Sequence, residues 1–480
     1  MNIVSVEFLL FFITFILLYN ASSSAAWKNL VTVAANLLFL ASFANSVVSV
    51  VPILAFLVYC YVAIEIVRRG VSASIFAVIM ILTLAVFVVL KRYSFVPDVA
   101  QLSFPYIVIG LSYILFRVLH VLVDVRSGDI SKPIPLLAYL NYTTNFLTLI
   151  SGPIQRFQDF ETHTQRATTA LTDDSVQSAL GRIVTGFLKV AVISAIANYF
   201  YLDQAAGVLA EAPGEFTTNL PVSYAAAAVA YTLYLYFNFS GYMDIVIGIG
   251  RLVGQDLPEN FDRPFSSRNI LEFWGRWHMT LSNWFKLYLF NPLLRLLMVR
   301  VTNPAFTPYL GVVAFFVTFL IMGIWHGPTA IFVVYGIIMG AGVSLNKLWQ
   351  VVMTKRLGKK RYKALSDNRF YQYLCVGVTF SFFAMAVTCL WVDLAQFTSI
   401  MTRLGPLGVG AVFGMIALGA AVFISALEAA EKSLRPVFEK ASSFSTNMLM
   451  HSFRLAAGVL MIVSVTSFFH KAPEFVYRAF

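Results

Sequence analysis

The chain has 480 residues, of which 59% are hydrophobic and 12% charged, with a net charge of +11. A soluble protein of this length normally carries about twice that charge, and it could not hide so much apolar side chain, so a soluble globular protein is excluded. The positive balance does not point to nucleic acid either. The basic residues lie between apolar runs, as in Arg68-Arg69, Lys355-Arg356 and Lys359-Lys360-Arg361, which is the pattern of cytoplasmic loops facing anionic lipid.

Apolar stretches long enough to cross a bilayer recur along the chain. In order they fall at 3–19, 30–48, 50–67, 72–90, 104–123 and 134–150, then at 183–202, 220–238, 309–325, 329–348, 372–393, 407–428 and 453–470. Only helices and closed barrels satisfy their backbone in lipid, and barrel-like alternation is absent. The expected fold is all-α, a polytopic integral membrane protein with about 11–13 transmembrane helices plus interfacial or re-entrant helices. The first segment mimics a secretory signal, but it lacks a basic start and Lys28 follows it, so it reads as a retained span with its N-terminus outside. Lys28 and Arg68-Arg69 then face the cytoplasm and Lys91-Arg92 does not. Either one span is mis-assigned there or that pair is a local exception to the positive-inside bias.

Two polar segments interrupt the pattern, at 152–182 and 251–300. The second is too polar to span and too aromatic for a free linker, so it reads as helices at the interface or entering the protein. The stretch 351–371 reads as a basic loop and 429–452 as a mixed-charge amphipathic loop. With no internal repeat and no separable soluble part, residues 1–480 read as one membrane domain. Cys60, Cys375 and Cys389 lie in apolar runs without CxxC or metal-ligand spacing, so they read as packing residues and no metal is expected.

The segment "NILEFWGRWHMTLSNWFK" (269–286) predicts a capped helix with Trp274, His278, Leu281, Ser282 and Phe285 on one side, and Glu272 paired with Arg276 on another. It is either a site-bearing helix or an interfacial amphipathic helix that tolerates a histidine. His326 lies between two spans, in "GIWHGPTAIF". An ionisable group at membrane depth marks either a functional path or a bond across helices. Gly323, Gly327 and Pro328 favour the first reading, because they break helix geometry and leave room for a ligand. His120 and Asp124 are four apart and able to bond to each other. Asp244, with Asn238, Ser240 and Tyr242, gives one span a polar face that either lines a cavity or bonds to other helices. Gly248 and Gly250 form a GxG with no preceding strand, and GxSxG, P-loop and HExxH motifs are absent. His163, His451 and His470 suggest no role.

Several stretches together resemble the membrane-bound O-acyltransferases, in the bacterial branch of alginate O-acetyltransferase and teichoic-acid D-alanyl transferase. They are "GLSYILFRVLHVLVDVRSGD", "LTLISGPIQRFQDF", "FNFSGYMDIVIGIGRLVG", "LPENFDRPFSSRNILEFWGRWHMTLSNWFKLYLFNPL" and "GIWHGPTAIFVVYG", covering roughly 110–337 in family order. The resemblance implies helices around a central tunnel and acyl transfer from a cytoplasmic thioester to a hydroxyl reached from the other face. His326 then corresponds to the catalytic histidine, acting as general base, and His278 to the second motif histidine. Acetyl-CoA is the implied donor and a cell-surface polysaccharide the acceptor, with an extracytoplasmic partner protein, in the bacterial cytoplasmic membrane. Trp274, Trp277 and Asn260 are assigned to shaping or polarising the site, and Arg156, Arg263 and Arg276 to the phosphates of coenzyme A. D-alanyl transfer from a carrier protein is the alternative within the class, and a polysaccharide transporter the alternative outside it. Transporters usually show paired halves, which this chain lacks. After Asn291-Pro292-Leu293 the sequence departs from the branch's Gly-Gly-Asn-Arg-like turn, which bears on donor and partner.

Overall fold

A computed structural model describes residues 6–165, 172–210 and 220–442, with a few residues between 453 and 463. The expected span at 453–470 lies largely outside the described residues. Everything described is helix, turn or loop, apart from one isolated bridge between Phe261 and Trp277. The helices are α1 (Val6–Asn20), α2 (Ala25–Ala41), α3 (Val51–Arg68), α4 (Ala73–Leu90), α5 (Leu111–Ser127), α6 (Leu136–Thr143), α7 (Phe146–Leu149), α8 (Phe157–Gln165) and α9 (Asp173–Leu188). They continue as α10 (Ser194–Leu209), α11 (Leu220–Leu252), α12 (Ile270–Trp274), α13 (Met279–Phe285), α14 (Asn291–Arg300), α15 (Thr307–His326), α16 (Ala330–Ser366), α17 (Arg369–Ala386) and α18 (Leu394–Ser442). Among the described residues, eight helices are long and apolar enough to cross a bilayer, and 7–20 and 25–41 form shorter apolar helices. The chain is an all-α polytopic membrane protein.

Two compact units are present. Among the described residues the first comprises 6–165, 172–187 and 239–259. In it the expected span at 134–150 is not one helix: α6 ends at Thr143 and the single turn of α7 starts at Phe146. Asn145 makes the break, its side chain accepting from the Leu147 amide at 3.2 Å. The carbonyls released there are met by the buried guanidinium of Arg117, which donates to Tyr142 O at 2.9 Å and Thr143 O at 2.7 Å. A charged fork inside apolar surroundings satisfies backbone that neither helix nor water reaches. Phe146, just after the break, packs edge-on against Phe11 and Phe15 at ring separations of 5.1 and 4.9 Å.

The pair Lys91-Arg92, which runs against the charge bias, serves this unit internally. Lys91 caps α4 but is only 6% exposed, and its ammonium donates to Ser112 Oγ at 3.1 Å. Burial pushes its pKa down to about 8. Arg92 donates to the carbonyls of Leu102 and Phe104, holding the loop before α5. Neither charge is a free topological marker.

The second unit comprises Leu188–Asn238 and Asn260–Pro473. Its main hairpin is α15 against α16. A Cβ on Gly323 would collide with the backbone of Gly336, and one on Gly340 would meet the Phe316 carbonyl at 2.9 Å. Small residues let two helix backbones approach where lipid supplies no hydrophobic drive. The stretches expected as loops at 351–371 and 429–452 are largely helical: α16 runs to Ser366 with a kink at Gly358 (φ 77°), and α18 runs to Ser442 with a kink at Gly405. Residues 443–452 lie outside the described residues. Lys and Arg have good helix propensity, so a basic run between two spans winds on as helix instead of unravelling.

Candidate functional site

The stretch 269–286 is not one helix. Asn269 caps α12, accepting from the Glu272 amide at 3.0 Å, and α12 ends at Trp274. The chain turns through Gly275 to Trp277, and a second helix, α13, starts at Met279. His278 sits at the junction in the left-handed region, φ 44°. The expected stripe of Trp274, His278, Leu281, Ser282 and Phe285 therefore does not share one helical face. The pairing of Glu272 with Arg276 does form, at 2.8 Å.

What holds His278 is Asn260, eighteen residues upstream. Asn260 is fully buried, and its Oδ1 accepts from the Thr280 amide at 3.0 Å and from Thr280 Oγ1 at 2.8 Å. The same oxygen lies 3.3 Å from His278 Nδ1. The Thr280 backbone N–H can only donate, so the Asn260 atom facing it is the oxygen, and Nδ1 beside that oxygen carries the proton. Nε2 is then the nitrogen with the lone pair. The Asn260 carbonyl also takes the Met279 amide at 3.0 Å, and Asp262 N donates to Arg276 O at 2.9 Å. These bonds close residues 261–278 into a loop with a hydrogen-bonded neck, filled by its own rings. Trp277 stacks on Phe273 at 5.6 Å and meets Phe261 at 5.1 Å. The neck holds a non-glycine residue in a region that costs about 1–3 kcal/mol to occupy.

His326 is the last residue of α15 and 5% exposed. Its ring lies 4.8 Å from Trp325 and edge-on to Tyr335 of α16 at 5.5 Å. Phe285 of α13 reaches Trp325 at 6.5 Å. The two histidines are within electrostatic reach. Burial pulls the His278 pKa well below its ordinary value, and charge on His326 lowers it further. Two buried imidazoles, at least one held neutral, are suited to taking a proton from a hydroxyl. The glycines beside His326 do not open a gap. Gly323 lies inside α15 against Gly336, and a Cβ on Gly327 would fall within the ring of Phe332. The residues are small because protein atoms fill the space.

The other expected residues are placed variously. Trp274 packs on Phe319 of α15 at 5.0 Å, and its buried indole N–H has no hydrogen-bond partner among the described residues. Arg276 is held by Glu272 and by Ser266 Oγ at 3.2 Å. Arg263 is 77% exposed at its side chain, 3.9 Å from Glu431. Arg156 belongs to the first unit and is committed to Asp124 at 2.8 Å. Asp124 also takes His120 Nδ1 at 3.2 Å and Gln158 Nε2 at 2.7 Å. His120 Nε2 accepts the Phe157 amide at 2.9 Å, so the group latches the Gly-Pro loop onto α5. Burial pushes the Asp124 carboxyl upward, but the hydrogen bonds from His120, Gln158 and Arg156 outweigh it and hold it below the usual carboxylate range. The polar face expected around Asp244 bonds to protein. Asp244 takes Arg182 Nε at 3.0 Å, Tyr242 donates to Leu147 O at 3.1 Å, and Asn238 donates to Ser194 Oγ at 3.4 Å. Gly248 and Gly250 lie within α11 and permit close packing, against Ile183 and the Gln255 carbonyl respectively. Thr280, which shares the oxygen that holds His278, carries no sequence signal of its own.

Residues 8–387 match the model of MBOAT, the membrane-bound O-acyltransferase family. The chain belongs to this family. Among curated relatives, a teichoic acid D-alanyltransferase of Bacillus subtilis is 30% identical over 57% of this chain and 66% of its own length. The same-named protein of Streptococcus thermophilus is 32% identical over 57% of this chain and 65% of its own. A probable alginate O-acetylase, AlgI, of Pseudomonas fluorescens is 33% identical over 50% of this chain and 44% of its own. The matched stretches thus span between under half and two thirds of these family members. The family assignment accords with the resemblance carried by the five motif stretches.

Proposed function

We propose that the protein is an O-acyltransferase that moves an acetyl group from acetyl-CoA to hydroxyls of a cell-surface polysaccharide. It would work in the bacterial cytoplasmic membrane with an extracytoplasmic partner protein. The observation that carries this reading is the pair of buried histidines in one unit, electrostatically coupled, with His278 neutral and its tautomer set by Asn260. In the proposed step the acceptor oxygen attacks the thioester carbonyl carbon and its proton passes to His326 as general base. The C–S bond breaks, and the departing thiolate recovers the proton, leaving an ester and free coenzyme A. His278 Nε2 accepts a hydrogen bond from the acceptor and orients it. Trp274, whose indole N–H has no hydrogen-bond partner among the described residues, is a donor available to the developing oxyanion. Arg263 and Arg276 are the cations of this unit assigned to the donor phosphates.

D-alanyl transfer from a carrier protein is the second reading, favoured by the teichoic acid D-alanyltransferases among the relatives. Membranes containing the full chain, supplied with labelled acetyl-CoA, should label the polymer, and His326→Ala should abolish labelling while the protein remains in the membrane. Wild-type ester levels in that variant refute the base assignment. Labelling that requires an acylated carrier protein establishes the second reading.

A further inference from the structure

The second unit contains a cavity of about 610 Å³ that is lined by neither histidine. It lies between the start of α12, the later part of α16, α17 and α18. Its lining on α17 runs from Tyr371 to Phe382, twelve residues spanning about 16 Å of helix. The outer end, beside the α16–α17 turn, is lined by Tyr362, Ser366, Asp367 and Tyr371, the far end by Leu345, Val378 and Phe413 with Thr379, and the exposed Arg268 borders the cavity from just before α12. The outer end lies at the turn between two membrane-crossing helices, where α16 ends at Ser366 and α17 starts at Arg369. It is therefore at headgroup depth, and Trp349, Tyr362 and Tyr371 in its lining are of the kind that settle at this level. The kink at Gly358 sets off 359–366 as a short helical segment, and its Tyr362 and Ser366 line the cavity. Residues 355–363 carry six cations and no carboxylate. The two carboxylates of the lining are Glu272, neutralised by Arg276, and Asp367, which directly follows the basic segment.

We propose that this cavity is a binding site for an anionic phospholipid. Its phosphodiester meets Arg268 beneath the basic segment, and one acyl chain descends along α17 past Val378 to Phe413. An amphiphile matches the polar-to-apolar gradient and the depth, and the volume is that of an ordinary ligand pocket. The six cations enrich anionic lipid at the entrance. The site is structural to the membrane setting of the unit and does not depend on the acyl-transfer reading.

The test is native mass spectrometry of the full chain in mild detergent after exchange with vesicles of phosphatidylglycerol or of phosphatidylcholine. The wild type should retain one phosphatidylglycerol through detergent washing and at least tenfold less phosphatidylcholine. Val378→Trp fills the apolar end and should reduce retention at least tenfold. Arg268→Gln changes an exposed side chain and should weaken phosphatidylglycerol retention with an unchanged circular dichroism spectrum, which keeps the test decisive if Val378→Trp misfolds. Equal retention of both lipids, or undiminished retention in Arg268→Gln, overturns the proposal. Release of the bound lipid by millimolar coenzyme A also overturns it and makes the cavity a donor subsite.

Discussion

Asn260 offers the sharpest perturbation, because one buried oxygen serves three donors. Asn260→Leu keeps the volume nearly constant and removes that oxygen. The Thr280 amide, the Thr280 hydroxyl and His278 Nδ1 all lose their acceptor. Each buried donor left unsatisfied costs about 1–3 kcal/mol, so the closed loop loses about 3–6 kcal/mol of support after partial relaxation. The share that falls on His278 itself is about one hydrogen bond, near 1.4 kcal/mol, which corresponds to about a tenfold loss of transfer rate. Asn260→Asp keeps the acceptor but adds a negative charge beside the ring, which favours the imidazolium and raises the His278 pKa. The acidic limb of its pH–rate profile should therefore move to higher pH, with near-normal rates on the alkaline side. The assay is acyl transfer in membranes across pH 5–9, with protein level normalised by blotting. A wild-type rate in Asn260→Leu together with an unmoved acidic limb in Asn260→Asp refutes the claim that Asn260 sets the protonation of His278.

Other expectations follow from geometry elsewhere. Gly327→Ala places a methyl in the ring of Phe332, and overpacking of this kind typically costs about 1–3 kcal/mol; a lower melting temperature that Phe332→Leu restores is expected, and no change would show that the ring yields freely. Asp124→Ala leaves His120 and Gln158 without their acceptor and should destabilise the first unit by about 2 kcal/mol at neutral pH. The carboxyl is held below its unfolded value, so its stabilisation is present above the usual carboxylate range and is lost as pH falls through the folded value. Melting curves taken from pH 7 down to about pH 1.5 should draw together for wild type and variant as the pH falls below the usual carboxylate range. Lys91 shows the opposite case, a base pushed down to about 8, so the unfolded chain holds its proton where the folded one does not. Wild-type stability should rise between pH 8 and 10, and Lys91→Met should remove that rise and stabilise the protein by about 2–3 kcal/mol at pH 7.

The long helices are legible in the sequence because hydropathy alone specifies them: 50–67, 72–90 and 309–325 lie within a few residues of α3, α4 and α15. What hydropathy misreads are the places where polar side chains stand in for water. The 134–150 run looks continuous, but Asn145 and the distant Arg117 together make a break energetically acceptable. The reverse happens at 239–252, beyond the expected span 220–238: α11 continues to Leu252, with Asp244 paired to Arg182. At the candidate site the residue types are legible, and the geometry is not. His278 is reached through a left-handed turn that helical periodicity cannot represent, and its support comes from Asn260 across eighteen intervening steps of chain. Gly323 and Gly327 are correctly singled out as special, yet for packing and not for access.

The neck at Asn260 also bears on how such a protein is altered. Because residues 261–278 close on themselves and carry their own aromatic filling, His278 travels with that loop more than with the helices around it. The natural unit of exchange between relatives is then the stretch 260–280 as a whole. A chimera cut at those ends transplants the histidine with its clamp, whereas a crossover between Asn260 and Thr280 separates the ring from the atom that holds its proton.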